Sequence, residues 1–246
     1  YKSTNLKWNK LMLKGAVVLF IEQILKKGVL FLATFVLAYF LPPADFGLIS
    51  IAVFVLGFSN SFVESGLKDS IIREKSLDEI TLSTAYWINN AFAIIVCLSV
   101  IGMSSFIANL YDQEKLAEIL PIIALTSILF SQQVVPLGII HKRLEFSKIV
   151  RATLPAVLIS SILSIFLANA GYGIWALILQ ILLSTSITSV LLFLESKFRP
   201  KFKFDNGVIE LLLNVMKANG IFAERLITNE RLPDPKDLVF YEVVMA

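Results

Sequence analysis

With 57% of its 246 residues apolar and only 17% charged, the chain carries more apolar surface than a soluble domain of this length can bury. Its net charge of +3 would point to nucleic acid in a soluble protein, but the cations sit in short segments between long apolar runs, the pattern of membrane insertion. The one cysteine, Cys97, lies within an apolar run and reads as a small buried hydrophobe, which excludes an intrachain disulfide and a cysteine metal site.

A hydrocarbon core about 30 Å thick needs roughly 20 apolar residues in helix. Six stretches meet that length: 16–41, 46–66, 82–108, 118–139, 152–170 and 173–194. The basic leader ahead of the first is followed by an apolar stretch too long for a cleavable signal and without a small-residue cleavage site, so it is expected to remain as a helix. The chain begins at Tyr1, which suggests a trimmed start.

Lysine and arginine alternate strictly between the connections. The leader holds Lys2, Lys7, Lys10 and Lys14. The segment after the second span holds Lys68, Arg73 and Lys75, and that after the fourth holds Lys142, Arg143, Lys148 and Arg151. Lys197, Arg199, Lys201 and Lys203 follow the sixth, whereas the three intervening connections hold only Lys115. This bias predicts both ends on the cytoplasmic side.

The lightly charged connections are short. LPPADFG uses Pro42 and Pro43 to stop the first helix, and NAGYG reverses on Gly171 and Gly173. The segment KDSIIREKSLDEI alternates Ile71, Ile72, Leu77 and Ile80 with charges, so it reads either as an amphipathic stretch on the membrane surface or as a solvated loop.

Polar groups inside a span are costly unless they face protein or a water-filled cavity. The first span carries Glu22, Gln23, Lys26 and Lys27; moving it downstream to avoid them leaves 28–41, too short to cross. Glu22 with Lys26, and Gln23 with Lys27, are spaced i, i+4 and share a strip of the helix. Two readings stay open: Lys26 or Lys27 lines a cavity for an anionic substrate, or a Glu22–Lys26 ion pair merely joins helices. Asn60, Ser61 and Glu64 on the second span, Asn89 and Asn90 on the third, Gln132 and Gln133 on the fourth, and Gln180 with Ser184, Thr185, Ser186 and Thr188 on the sixth are further polar positions. Each suits a sugar hydroxyl or an interhelical hydrogen bond, and helix packing is the commoner role. The single histidine, His141, stands in a basic segment, so neither a catalytic triad nor a histidine metal site is expected. No phosphate-binding GxxxxGK[ST] loop or other cofactor motif occurs.

Three stretches resemble a known family: Leu41, Pro43, Asp45, Phe46 and Gly47 at the first turn; Gly66, Leu67, Ile71, Ile72 and Arg73 after the second span; and Pro136, Arg143 and Phe146 around the end of the fourth. Over residues 5 to about 216 the chain is similar to the amino-terminal half of Wzx-type polysaccharide biosynthesis proteins, the lipid-linked oligosaccharide flippases of the multidrug, oligosaccharidyl-lipid and polysaccharide exporter superfamily.

The resemblance implies an all-α, polytopic transmembrane bundle of six spans, one lobe of a two-lobe exporter. It implies flipping of undecaprenyl-diphosphate-linked oligosaccharide for surface polysaccharide or O-antigen synthesis in the bacterial inner membrane, without an enzymatic step. Lys26, Lys27 and Arg73 would meet the diphosphate, with Glu22 and Gln23 beside them. Asn60, Asn89, Asn90, Gln132, Gln133 and Gln180 would meet sugars. The implied partners are the lipid bilayer, the lipid-linked oligosaccharide, and a polysaccharide polymerase or other envelope assembly proteins, with no nucleic acid. A cation-coupled small-molecule exporter of the same superfamily and a non-transporting membrane scaffold or relic are the alternatives.

Residues 1–216 are expected to form the membrane bundle, with a further helix starting at 207–216. Residues 217–246 read as a divergent polar tail of frameshifted or chimeric origin. Its run PDPKDLVFYEVVMA resembles a strip of a PIN-type ribonuclease toxin, too short to supply that fold.

Overall fold

The computed structural model describes residues 2–64, 67, 71, 72 and 78–202. Among the described residues six long helices follow one another: α1 (Lys2–Phe40), α2 (Pro43–Glu64), α3 (Glu79–Leu110), α4 (Lys115–Lys142), α5 (Ser147–Asn169) and α6 (Ile174–Ser196). No strand occurs among the described residues, and α2 to α6 are each long and apolar enough to cross a membrane. Helix α1 differs in composition, since Glu22, Gln23, Lys26 and Lys27 interrupt its apolar run. The expected further helix at 207–216 and the tail at 217–246 lie outside the described residues, as do Arg73 and Leu77.

The first helix is longer than its apolar run. It starts at Lys2, not near residue 16, because the basic leader contains no proline and no glycine before Gly15. At a rise of about 1.5 Å per residue its 39 residues extend roughly 58 Å, about twice a hydrocarbon core. Gly15 lets α1 pass close to the α4–α5 turn, since a Cβ there would run into the Phe146 ring unless that ring moved.

Two ends of the bundle can be told apart. At the turn end, Pro42 stops α1 and Pro43 opens α2 at a position where its missing N–H costs nothing. Asp45 is buried in the first turn of α2, where the helix dipole favours an acid, and lies beside Gly173 of the α5–α6 turn. Gly173 itself has φ 54° and ψ −134°, a conformation side chains disfavour. Leu37, Leu41, Ala176 and Leu177 pack beneath these turns, and Leu48, Leu116, Ile119 and Ile178 form a second dry cluster beside them.

The opposite, basic end carries the α2–α3 and α4–α5 connections. Here Ile71 is not on a membrane surface, as the alternation of charges had allowed. It is 5% exposed and packs with Leu67, Tyr86, Val135 and Phe198. Gly138 of α4 makes this docking possible, because a Cβ at that position would come within 3.0 Å of Ile71 Cγ2. Lys142 Nζ adds a bond to Ile71 O at 3.4 Å. Ile72 is half-buried and Ile80 exposed.

Helix α4 is the hub. Of its most apolar stretch 61% is buried, against 22–44% for the other four spans, and it packs on α2, α3 and α6. Helices α5 and α6 pair closely, while α1 leans chiefly on α5.

Candidate functional site

Four helices leave space between them. A cavity of about 570 Å³ is bounded by Leu19, Glu22, Gln23, Lys26 and Leu30 of α1, by Phe130, Gln133, Leu137 and His141 of α4, by Ile149, Thr153 and Val157 of α5, and by α6 from Gln180 to Leu192. On each helix the lining residues recur three and four apart, so each presents one continuous stripe. What distinguishes these stripes from an ordinary core is that polar residues occupy core positions: Glu22, Gln23 and Lys26, then Gln133 and His141, then Thr153, then Gln180, Ser184, Thr185 and Thr188.

Helical rise gives the cavity its depth. Lys26 lies 14 residues from Phe40, about 21 Å from the turn end, and Gln180 only about 9 Å from the start of α6. The cavity therefore begins under the dry clusters of the turn end and runs toward the basic end, where Leu19, His141 and Ile149 bound it. The His141 ring meets Phe146 edge-on there, with centroids 5.5 Å apart.

The α1 residues separate into distinct roles. Lys26 is half-buried in the cavity wall and Gln23 is exposed at it, whereas Lys27, one position on, is exposed and outside the lining. Glu22 is 2% exposed and does not form the i, i+4 ion pair with Lys26 that the spacing allowed. Thr153 Oγ1 of α5 stands 2.7 Å from Glu22 Oε1 instead. The interhelical hydroxyl thus takes the place of the same-helix cation.

Two amides build the walls. Gln133 Nε2 donates to Thr185 O at 3.1 Å and to Ser189 Oγ at 3.0 Å, tying α4 to α6. Gln180 Nε2 donates to Ser161 Oγ at 3.0 Å, tying α5 to α6. These bonds use both donors of Gln133 and hold the cavity's outline.

Other polar positions close elsewhere. Asn89 Nδ2 donates to Ser131 O at 3.2 Å, and Ser131 Oγ lies 3.0 Å from Asn90 Oδ1, so this cluster joins α3 to α4 away from the cavity. Gln132 is half-buried outside the lining, and Asn60 is half-buried on α2 with its Oδ1 unpartnered among the described residues. The structure thus brings together Glu22, Gln23, Lys26, Gln133 and Gln180. It leaves Lys27, Asn60, Asn89, Asn90 and Gln132 outside. Thr153 and His141 join the site without having been singled out for it. For Thr153 the signal was a hydroxyl in register with Ile149 and Val157 on one helical face; for His141 it was the i+4 and i+8 spacing from Leu137 and Gln133.

At the basic end three ion pairs form among the described residues: Lys148 with Glu145 at 2.6 Å, Arg151 with Glu195 at 3.2 Å, and Lys201 with Glu79. The segment after α6 is fastened to α3 by Trp87 Nε1 donating to Lys201 O at 3.2 Å and by Trp87 stacking on Phe202. Among the described residues no cluster of three or more histidine, cysteine or acidic side chains is placed to hold a metal ion.

Comparison with known proteins agrees with this architecture. Residues 36–227 match the family model described as polysaccharide biosynthesis protein, a match that runs past residue 216 and does not include the polar stretch of α1. The succinoglycan biosynthesis transport protein ExoT of Rhizobium meliloti (strain 1021) is 25% identical over 177 residues, covering 72% of this chain and 36% of that protein. The lipopolysaccharide biosynthesis protein WzxC of Escherichia coli (strain K12) is 25% identical over 171 residues, 69% of this chain and 35% of its own length. An uncharacterized membrane protein in the cps region of Klebsiella pneumoniae is 27% identical over 163 residues, 65% of this chain and 34% of that protein. The chain thus spans about a third of the length of these relatives. No solved structure matches it. A helical membrane bundle that matches this model over most of its length places the chain in the polysaccharide biosynthesis protein family.

Proposed function

We propose that this chain is one lobe of a flippase that carries an undecaprenyl-diphosphate-linked oligosaccharide across the bacterial inner membrane for surface polysaccharide or O-antigen synthesis. The basic end faces the cytoplasm, as the bias of lysine and arginine favours. Transport by the lobe involves a second lobe, since the relatives are about three times the aligned length. No bond is made or broken, and the protein acts as a transporter, not an enzyme.

One observation carries the reading: a half-buried lysine, not paired with the acid one turn away, lies in a cavity whose other polar lining residues, apart from Glu22 and His141, are amides and hydroxyls. A diphosphate entering hydrocarbon loses its hydration at a cost of tens of kcal/mol, which a polar path removes. Contact with Lys26 at about 4 Å contributes on the order of 1 kcal/mol under water-like screening and about 4 kcal/mol at protein-like screening. Gln23 and the Ser184, Thr185 and Thr188 hydroxyls suit the sugars. The relatives named for succinoglycan transport and lipopolysaccharide biosynthesis support this class of cargo.

The test is export of glycan in cells that depend on the intact gene product. Lys26→Ala is expected to abolish surface glycan and to accumulate the lipid-linked unit, with normal membrane insertion. Lys27→Ala, on the exposed face, is expected to export normally. Normal export by Lys26→Ala would overturn the assignment of the diphosphate to this lysine.

A further inference from the structure

Gln132 of α4 lies outside the cavity and faces a different space. Ser131 turns to Asn89 and Asn90 of α3, and Gln133 to Thr185 and Ser189 of α6. Successive helical residues point about 100° apart, so Gln132 faces outward between α3 and α6. Those two helices each pack on α4 without packing closely on one another, which leaves a groove. Its floor is Leu125 and Gln132, and its walls are Trp87 and Ile94 of α3 with Val190 and Leu194 of α6. Leu125, Ile94, Val190 and Leu194 are 45–68% exposed, whereas Gln132 is half-buried and its amide has no hydrogen-bond partner among the described residues. Acyl chains offer an amide no such partner, and an unpaired amide in hydrocarbon is costly.

The segment that follows α6 closes the basic end of this groove. Lys197, at φ 58°, turns the chain back, and Phe198 packs against Tyr86 and Phe193. Lys201 N donates to Ser83 Oγ at 3.1 Å, Lys201 Nζ pairs with Glu79, and Phe202 stacks on Trp87, so the strap crosses from α6 to α3. Ser83 precedes Asn90 by seven residues and Asn90 is level with Ser131, which sets the strap about 10 Å beyond Gln132 toward the basic end. The headgroup layer of a bilayer is about 5–8 Å deep. With the strap among headgroups, Gln132 stands near the glycerol esters at the edge of the hydrocarbon. Along α6, Val190, Leu194 and Lys197 are spaced i, i+4 and i+7, a stripe of two exposed apolar side chains that ends in an exposed cation. Arg199 is exposed beside it, and neither cation has a side-chain partner among the described residues.

We propose that the groove between α3 and α6 binds one anionic phospholipid of the leaflet at the basic end. Lys197 and Arg199 take the headgroup phosphate, Gln132 Nε2 donates to an acyl ester carbonyl, and the chains lie along the exposed apolar walls. The nearby acids are already engaged, Glu79 by Lys201 and Glu195 by Arg151, so the two strap cations meet no local competitor for an anion. That excess of positive charge favours a headgroup of net negative charge over a zwitterionic one. None of the six groove residues lines the cavity around Lys26, so this site stands whatever the cavity carries.

The test is native mass spectrometry of the purified full chain in a neutral detergent, titrated with phosphatidylglycerol or with phosphatidylcholine of the same acyl chains. The wild type is expected to retain one phosphatidylglycerol severalfold more tightly than phosphatidylcholine. Lys197→Gln combined with Arg199→Gln is expected to remove that preference and leave phosphatidylcholine retention as it was. Gln132→Leu is expected to weaken both lipids severalfold and keep the preference, because the ester carbonyl is common to both. All three side chains face outward, and circular dichroism checks that each variant keeps its helices. Retention of neither lipid, equal retention of the two, or a preference that survives the double substitution overturns the site. Unchanged retention by Gln132→Leu overturns its placement in this groove. Displacement of phosphatidylglycerol by inorganic pyrophosphate would assign the strap cations to a soluble polyanion and overturn the lipid as occupant.

Discussion

Two polar regions of the bundle use the same residue types to opposite ends. Between α3 and α4, Asn89, Asn90 and Ser131 close on one another and are buried. Between α1, α4, α5 and α6, Gln133 and Gln180 point their donors into the walls, and Lys26 with the α6 hydroxyls remains around open space. Amides fasten neighbouring helices in both regions, and beside Gln133 and Gln180 a further helix stands far enough away to leave a cavity. The deciding quantity is the distance between helices, and α1, packed chiefly on α5, is the helix that stands off.

The sharpest break of this comparison is at Lys26. Lys26→Ala should reduce affinity for a diphosphate by between about fivefold and about a thousandfold, the range set by screening. Because its charge faces open space, thermal stability in detergent should change little. Gln133→Ala should act on both sides, since it removes bonds to Thr185 O and Ser189 Oγ and part of the cavity wall. A loss of about 1–3 kcal/mol in reversible unfolding is expected, together with weaker glycan export.

Gly138→Val probes the closed side by another route. Its side chain would press into Ile71 and lift the segment that follows α2, at a cost of about 1–3 kcal/mol, read as a lowered unfolding midpoint with pyrophosphate binding unchanged. The smallest effect is expected from Asn89→Ala with Asn90→Ala. Interhelical hydrogen bonds in membranes contribute about 0.6 kcal/mol on average and rarely above about 1.7. The pair should lower stability by about 1–2 kcal/mol and leave export intact; lost export at unchanged stability would place these amides in the substrate path.

Much of the fold was legible. Pro42 with Pro43, and Gly171 with Gly173, mark two of the helix reversals, and the six apolar runs correspond to the six helices within a few residues at most ends. The start of α1 was the exception, because hydropathy reports where a helix meets lipid and not where helical backbone begins. The site was legible in part. Polar residues interrupting α1 singled out Glu22, Gln23 and Lys26, but not Lys27 against Lys26, since successive residues on a helix point about 100° apart and only packing on α5 decides which faces inward. The ion pair allowed by the Glu22–Lys26 spacing gave way to Thr153, 131 residues on, a competitor invisible to local pattern.

The sequence by itself determined that the chain is a bundle of membrane helices, where most of those helices turn, and which polar groups stand inside them. These follow from hydropathy, proline and glycine geometry and the cost of burying charge, all properties of local segments. Only the tertiary structure decided which of the polar groups meet. It sealed Asn89 and Asn90 against α4, drew Ile71 onto Gly138, and set Lys26 beside the hydroxyls of α6. Those pairings depend on the rotation and spacing of whole helices, which interhelical packing fixes and no single segment encodes.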